Sequence, residues 1–258
     1  MFRHALAVLG FALVSDGSNG AIAADKAVSA LYVFSWAGMD VGELRAEIVE
    51  SGDGYRAVWS GRTTGLIGTL FPFTSAGVTN GRRGGGRYHP YAFDGSSAWR
   101  DGGGSWRVEF GPDGRATQLQ VPAEQLAGRE PVPDALRQGP DPASLALMAI
   151  AVARPGASLA AASFDGKRVV GFALDCAGTV VAGEGELACT VEGQLLAGAS
   201  REWRDRQPEP TPRPAVRVWL RPSPDAGGFW PVRVEAPSRF GTIVAHLTSL
   251  EQGVPGAG

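Results

Sequence analysis

Residues 141–153, with the sequence DPASLALMAIAVA, predict the one clear helix of the chain. Asp141 is a favoured N-cap residue, and Pro142 stands at the first helical position, where the missing backbone N–H costs nothing. Pro155 and Gly156 follow the last apolar residues and end the helix. Its large apolar side chains are those of Leu145, Leu147, Met148, Ile150 and Val152.

The predicted helix has no polar face beyond Ser144. A helix that is apolar all round is buried in a protein or lies in a membrane. This one is much shorter than the roughly 20 residues that span a bilayer. We therefore expect it to be buried inside the fold, and an exposed helix that contacts a partner is the alternative.

Segments on both sides of the helix alternate apolar and polar residues. A period of two is typical of strands that have one face on the core and the other in water. The alternating apolar sets are Leu44, Ala46 and Ile48; Trp106, Val108 and Phe110; Val216, Val218 and Leu220; and Ile243, Ala245 and Leu247. We predict that residues 66–78 add two further strands or one bent strand.

Abundant glycine (37) and proline (18) favour many turns. The predicted turns include residues 51–54, Asn80-Gly81, Asp94-Gly95 and Asp165-Gly166. Together these signals predict a mainly β fold of about 11 to 13 strands. The expected architecture is a strongly curved antiparallel sheet, or incomplete β-barrel, wrapped around the apolar helix 141–153.

The N-terminus has the pattern of a secretory signal peptide. Arg3 and His4 precede a short apolar run, and Ala21-Ile22-Ala23 fits an A-x-A cleavage site. Cleavage after Ala23 or Ala24 is expected, with an uncleaved anchor as the alternative. The predicted organisation is a signal peptide over 1–23, a single β-rich domain over 24–250 and a disordered tail over 251–258. No later stretch predicts a transmembrane segment.

If the protein is exported, its two cysteines, Cys176 and Cys189, are candidates for a disulfide. An oxidising compartment allows a disulfide, and two strands that flank a turn at residues 183–185 would bring the thiols together. Two separate buried thiols remain the alternative. Two cysteines without a nearby histidine do not predict a metal site.

Residues that carry catalysis do not stand out. His89 and His246 are far apart and lack metal-ligand spacing, and no nucleophile elbow is present. The formal net charge of −2 gives no reason to expect a nucleic-acid partner. We expect neither an enzyme nor a bound cofactor or metal.

Two surface features are candidates for contacts. Trp219 falls on the opposite strand face from Val218 and Leu220, so it is the best candidate for an exposed aromatic contact. Arg82, Arg83 and Arg87 flank a run of three glycines and predict a basic loop. This loop either contacts an anion or lipid headgroup or is simply solvated. Other aromatic residues, Phe71 among them, line an apolar cavity or pack the core.

A series of short motifs runs through residues 28–250. They are WAGMDVG at 36–42, Thr64-Gly65, Pro90-Tyr91, Asp141-Pro142-x-Ser144, DGKR at 165–168, Ala188-Cys189, and the stretch 231–242. In this order the motifs resemble a bacterial exported family, the domain of unknown function family 3108. The run of glycines at 84–86 and that at 102–104 depart from its pattern only in loop length.

The resemblance implies an envelope protein of Gram-negative bacteria. It also implies a fold similar to that of periplasmic lipoprotein carriers, a half-open β-barrel with a helical cover. The family has no established activity, so there are no catalytic residues to transfer.

From these observations we expect a periplasmic, non-enzymatic protein that binds an apolar ligand, such as a lipid, an acyl chain or a lipidated segment, or that maintains the envelope. The alternative is a structural protein whose surface binds another envelope protein.

Overall fold

The computed structural model describes residues 26–100, 102–177, 180–181, 185–206, 215–223, 228–238 and 241–253. The strands of the first half are β1 (Lys26–Trp36), β2 (Met39–Ser51), β3 (Gly54–Thr63), β4 (Phe73–Gly84), β5 (Arg87–Trp99), β6 (Gly102–Phe110) and β7 (Ala116–Gln120). Those of the second half are β8 (Ser158–Phe164), β9 (Val169–Asp175), β10 (Val180–Val181), β11 (Glu186–Ala197), β12 (Val216–Ser223), β13 (Gly228–Ser238) and β14 (Gly241–Gly253). The helices are α1 (Gly65–Leu70), α2 (Ala123–Leu126), α3 (Pro142–Val152) and α4 (Arg201–Arg206), with a 3-10 turn at Asp134–Leu136.

All the described strands form one antiparallel sheet. Its order is β7-β6-β5-β4-β3-β2-β1-β14-β13-β12-β11-β9-β8, and β10 pairs with β11. The first and last strands therefore meet at the centre, while β7 and β8 form the two edges. Within the described part of the chain no ladder joins these edges, so the sheet is not closed into a barrel. The predicted mainly β, curved and open architecture is confirmed.

Side chains bridge the two edges where backbone pairing does not. Trp106 and Val108 on β6 belong to one buried cluster with Phe164 on β8 and Val169 on β9. The connection 121–140 crosses the same place and contributes Val132 to the cluster. The Phe164 backbone N–H also donates to the Pro140 carbonyl at 3.1 Å. The sheet must therefore curl until its edges share a core.

Two glycines make room for tryptophan rings on the inner face of this curved sheet. Trp59 pairs with Gly77 across β3 and β4, and Trp106 pairs with Gly95 across β5 and β6. A Cβ atom at Gly77 would lie 2.5 Å from the Trp59 ring, and one at Gly95 would lie 2.4 Å from the Trp106 ring. The missing side chains let each ring lie flat against the neighbouring strand.

This packing explains two wrong turn predictions. Asp94-Gly95 lies within β5, and Asn80-Gly81 lies within β4 at a register shift. A Cβ at Gly81 would approach the Tyr55 ring to 2.5 Å, so this glycine also serves an aromatic ring. The predicted turns at 51–54 and Asp165-Gly166 are present between strands.

Helix α3 is confirmed at Pro142–Val152, with Asp141 as N-cap. It contacts β5 of the first half and β8 and β13 of the second half. The helix therefore lies across the concave side of the sheet and connects its two halves. Within the part of the chain that the structure describes, no helix is long and apolar enough to cross a membrane.

The expectation of one helix was incomplete, because α1 replaces a predicted strand. Its Leu66 and Leu70 are exposed, so the apolar residues of this segment do not indicate a buried strand. Thr63 holds together the two ends of the connection between β3 and β4. Its hydroxyl accepts from the Phe73 N–H and donates to the Phe71 carbonyl, both at 3.0 Å. Strand pairing then resumes at Phe73.

The chain ends were predicted from sequence alone. Strand β14 continues to Gly253, past the predicted domain boundary at residue 250. The predicted signal peptide over 1–23 and residues 254–258 of the predicted tail lie outside the described residues.

Candidate functional site

Asp141 fastens the start of α3 to the first half of the sheet. Its Oδ1 accepts from the Thr79 hydroxyl of β4 at 2.7 Å and from the Ala143 N–H at 2.9 Å. Its Oδ2 accepts from the Ser144 hydroxyl. The carboxyl group is fully buried. The predicted N-cap therefore also ties the helix to the sheet.

A phenol extends this hydrogen-bond chain to β3. The Tyr55 and Ser144 hydroxyl oxygens are 2.6 Å apart. With Ser144 donating to Asp141, Tyr55 donates to Ser144. Burial, followed by the charge of Asp141, raises the pKa of Tyr55, so its phenol stays protonated. Burial also raises the pKa of Asp141, against the opposing effect of the Ser144 and Thr79 hydrogen bonds.

The apolar side chains of α3 are covered unequally. Leu145 and Leu147 are buried, as predicted. Met148, Ile150 and Val152 are only partly buried, so the predicted burial of the helix holds for one part of its apolar surface and not for the rest. The helix bridges two halves of an open sheet, and these three side chains keep part of their surface in contact with solvent.

Ile150 borders an apolar surface at the centre of the sheet, which we call the apolar floor. Its buried members are Val28, Ala30, Tyr32 and Trp230, and its partly buried members are Leu44, Ile48, Ile150, Leu247 and Leu250. These residues come from β1, β2, β13, β14 and α3. The floor is therefore continuous across the junction of the two halves.

A β-bulge enlarges the apolar floor. Leu31 pairs with Ser249 and Tyr32 with Leu247, so Thr248 is the extra residue in β14. This shift lets Leu247 and Leu250 point to the same face although they are three positions apart.

The one hydroxyl group of the apolar floor is that of Tyr32, and it donates to the Pro231 carbonyl at 2.9 Å. Burial raises the pKa of Tyr32.

Cys176 and Cys189 form a disulfide. Asp175 pairs with Thr190 in the β9–β11 ladder, so the two cysteines are the next opposed residues. Both are buried with Leu187 and Ala153, at the C-terminal end of α3. Closing a loop of this length restricts the unfolded chain and contributes about 3 kcal/mol.

The two predicted surface contacts lie apart from each other. Trp219 on β12 is half-buried, and the Arg233 guanidinium lies 5.1 Å from its ring centre. The predicted basic loop is largely strand, because Arg82 and Arg83 belong to β4 and only Gly85 and Gly86 form the turn. Arg87 begins β5 and is exposed.

The first two arginines of this hairpin have carboxylate neighbours. Arg83 lies 3.2 Å from the buried carboxylate of Glu50, and Arg82 lies 3.9 Å from Asp53. Five strands separate β4 from β12 in the sheet order, so the basic hairpin and Trp219 do not form one site.

A charged site that was not predicted surrounds the Asp165-Gly166 turn. Asp165 is buried, accepts from the Lys167 and Arg168 backbone N–H groups at 2.9 Å, and pairs with the Arg168 guanidinium at 2.8 Å. Burial pushes the pKa of Asp165 upward, but Arg168, Lys167 and these N–H groups hold it below its usual range. The DGKR motif at 165–168 was the only sequence feature that pointed to this site, and from sequence it predicted a turn and not a charged cluster.

The two histidines of the described residues do not take part in a cluster of metal-binding side chains. His89 and His246 are both exposed, on β5 and β14. Among the described residues, no group of three His, Cys, Asp or Glu side chains is placed to hold a metal ion.

Comparison with protein families identifies relatives by sequence. A family described as "Protein of unknown function (DUF3108)" matches residues 31–248. The chain belongs to this family. The resemblance found from the motifs is therefore confirmed, and it extends over nearly all the described strands.

Other comparisons add little. No curated protein matches the chain. A solved structure described as a beta-barrel-like protein of domain of unknown function DUF1849 from Brucella abortus is 8% identical, with a TM-score of 0.46. The alignment covers 89% of this chain and 98% of that one.

Proposed function

We propose that this member of the DUF3108 family is a non-enzymatic binding protein of the bacterial periplasm. Its ligand is an apolar chain, such as the acyl chain of a lipid or lipoprotein, held against the apolar floor beside α3. The single observation that carries the proposal is the partial exposure of Ile150 together with its apolar neighbours on β2 and β14.

The floor has the chemistry that an acyl chain requires. Its rim side chains, Leu44, Ile48, Ile150, Leu247 and Leu250, are all aliphatic. The transfer of apolar surface from water is favourable by about 25 cal/mol per Å². An acyl chain that covered these side chains would remove their remaining surface from water without leaving a polar group unpaired.

The proposed location rests on the N-terminal sequence and the disulfide. The apolar segment before Ala21-Ile22-Ala23 has the features of an export signal. The Cys176–Cys189 disulfide is typical of an oxidising compartment. Cell fractionation, with mass spectrometry of the mature N-terminus, tests this part. A cytoplasmic protein that retains Met1 would contradict it.

Native mass spectrometry tests the ligand. The protein is purified gently from the periplasmic fraction of its host and also titrated with palmitate after delipidation. We expect a lipid-sized mass increment and saturable palmitate binding. The variant Ile150→Gln should weaken palmitate binding by roughly tenfold, because it places an amide on the apolar floor. Binding that is unchanged in this variant would contradict the proposal.

A second candidate function is protein–protein contact through the surface around α1. Four large apolar side chains are exposed near α1: Met39 (49%), Leu66 (67%), Leu70 (50%) and Phe71 (43%). Contiguous apolar exposure of this kind marks interaction surfaces. The exposure of Phe71 also corrects its prediction as a cavity or core residue.

The variant Leu70→Gln is the matched control for both functions. Leu70 is not a member of the apolar floor and its side chain is half exposed, so this variant should leave palmitate binding unchanged. If the α1 surface instead binds another envelope protein, crosslinking in intact cells should lose a defined partner in Leu70→Gln and retain it in Ile150→Gln. The two variants therefore separate the two functions.

A further inference from the structure

A cleft opens at the seam between the two sheet edges, away from the apolar floor. Its volume is about 210 Å³. We call it the seam cleft. Leu119 of β7, Phe164 of β8 and the connection between α2 and α3 line it. Its apolar walls are Leu119, Leu126, Pro131, Val132 and Phe164, and its charged members are Arg129, Glu130, Arg137 and Lys167.

Lys167 is held in the cleft by neutral groups. Its ammonium lies 3.0 Å from the centre of the Trp106 ring and donates to the Gln125 side-chain oxygen at 3.0 Å. Arg129 is held in the same way: its guanidinium donates to the backbone carbonyls of Gln125 at 3.2 Å and Gly198 at 3.1 Å. Among the described residues, neither cation has a carboxylate within 4.0 Å.

The charges around the cleft do not cancel. Asp165 is the carboxylate nearest to Lys167 and Arg129, and it is already paired with Arg168. Glu130 pairs with Arg204, and Arg137 pairs with Asp134 at 2.9 Å. Three cations therefore share one buried carboxylate. Burial lowers the pKa of Lys167 to about 7, with Arg168 and Arg129 adding to the effect and Asp165 opposing it.

A bound anion would relieve this excess of positive charge. Hydrogen bonds between a carboxylate and Lys or Arg are stronger than those to neutral acceptors. The cleft has the volume of about seven water molecules at roughly 30 Å³ each, which suits a small molecule. Its apolar walls favour a ligand that is mostly hydrocarbon.

We propose that the seam cleft binds a small carboxylate with a short apolar chain, with Lys167 and Arg129 holding the carboxylate and Leu119, Val132 and Phe164 enclosing the chain. This site is separate from the apolar floor of the proposed function. It takes a whole small molecule, whereas the floor takes a long acyl chain.

Hexanoate is the probe, and Lys167 itself is the reporter. The sequence has two lysines, Lys26 and Lys167, so protein labelled with ¹³C-lysine gives two resolvable Cε signals. Hexanoate should raise the pKa of Lys167 measured from its Cε shift, since a bound carboxylate favours the charged amine. The Lys26 signal, at the start of β1, should not move. An unchanged Lys167 titration at saturating hexanoate would overturn the proposal.

Two further ligands separate charge from shape. Hexanol has the chain without the charge, and inorganic phosphate has the charge without the chain. Hexanoate should bind at least about tenfold more tightly than either, because each lacks half of the interaction. If hexanol bound as tightly as hexanoate, the proposed role of the cations would be wrong. If phosphate bound as tightly as hexanoate, the proposed role of the apolar walls would be wrong.

Two variants complete the test. Lys167→Met keeps the length of the side chain and should weaken hexanoate binding at least about tenfold. Lys26→Met is the matched control and should leave it unchanged. If Lys167→Met does not fold, the ¹³C titration of the unmodified protein still decides the outcome. Palmitate binding by Ile150→Gln is measured separately, so failure at one site is distinguishable from failure at the other.

Discussion

Two buried aspartates, Asp141 and Asp165, occupy similar local positions but have opposite electrostatic environments. Each accepts hydrogen bonds from backbone N–H groups of the residues that follow it and is almost inaccessible to water. The side-chain partners of Asp141 are two hydroxyl groups, whereas Asp165 faces Arg168 and Lys167. Consequently the pKa of Asp141 is raised and that of Asp165 is lowered.

The contrast shows that burial alone does not determine what a carboxyl group contributes. Removal from water disfavours the charge at both sites, and at Asp165 the nearby cations together with backbone N–H groups reverse the effect. Asp141 matters as an acceptor of four hydrogen bonds, from the Thr79 hydroxyl, the Ala143 N–H, and the hydroxyl and N–H of Ser144. Asp165 matters as a negative charge. The first site holds a helix in place, whereas the second sits beside a cleft with excess positive charge.

The largest expected effect is common to both sites. Asp141→Ala removes a helix cap and leaves the Thr79 and Ser144 hydroxyls without their acceptor. Asp165→Ala leaves buried cations unpaired. Each should lower the free energy of unfolding by about 3 to 4 kcal/mol, measured by urea denaturation. A loss below about 1 kcal/mol at either site would show that the carboxyl group is not needed there.

Substitution by asparagine should separate the two sites. Asparagine is a good N-cap and keeps one acceptor, so Asp141→Asn should cost only about 1 kcal/mol. Asp165→Asn removes the charge that Arg168 and Lys167 face. It should cost about 3 kcal/mol, near the lower limit for a broken buried pair because Arg168 is partly exposed. Equal costs at the two sites would contradict the distinction drawn between them.

A smaller effect is the sign of the pH dependence. The stability from Asp165, whose folded pKa is lowered, is present above its unfolded pKa of 3.8 and is lost as the pH falls through the folded value. The pH dependence of the Asp141 contribution has the opposite sign. Its contribution to stability is fully present below pH 3.8 and is lost as the pH rises through its raised folded pKa.

Urea denaturation across an acidic pH series measures both effects. The difference between the unmodified protein and Asp165→Asn should shrink as the pH falls, and the difference for Asp141→Asn should grow. Parallel curves would indicate that the two carboxyl groups titrate alike.

The smallest expected effect lies at the outer end of the Asp141 hydrogen-bond chain. Tyr55→Phe removes one hydroxyl but leaves Ser144 bonded to Asp141. The cost should be about 1 kcal/mol in the same urea measurement. Tyr91→Phe on β5, where the side chain is largely exposed, is the aromatic control outside this chain and should cost almost nothing. A cost for Tyr55→Phe as large as that of Asp141→Ala would mean that the phenol, rather than the carboxyl group, anchors the helix.

Much of the fold could be predicted because it depends on local patterns. Asp141 and Pro142 begin a helix wherever they precede a suitable sequence, and the alternation of Trp106, Val108 and Phe110 separates the two faces of a strand regardless of its partners. The glycines were less predictable. Gly95 and Gly81 look like turn residues, but their actual role is to accommodate aromatic rings from a neighbouring strand.

The candidate sites depended still more on tertiary contacts. The sequence singled out the apolar residues of α3, but it could not show that Ile150 lies beside Leu247 and Leu250 while Leu147 is enclosed. The seam cleft escaped prediction because Arg129, Lys167 and Trp106 are distant in sequence. The DGKR motif predicted a turn, and nothing local indicated that Lys167 would lie on a tryptophan ring.

Local sequence patterns were sufficient to establish the β-rich class, the position of the central helix and the two cysteines available for a disulfide. The first two features follow from backbone preferences and side-chain periodicity, which act over a few residues. Long-range packing set which apolar surfaces stay accessible, which aspartate keeps its charge and where cations gather. Those properties depend on distances between residues of different strands, and these are set only when the sheet curls around α3 and its two edges meet.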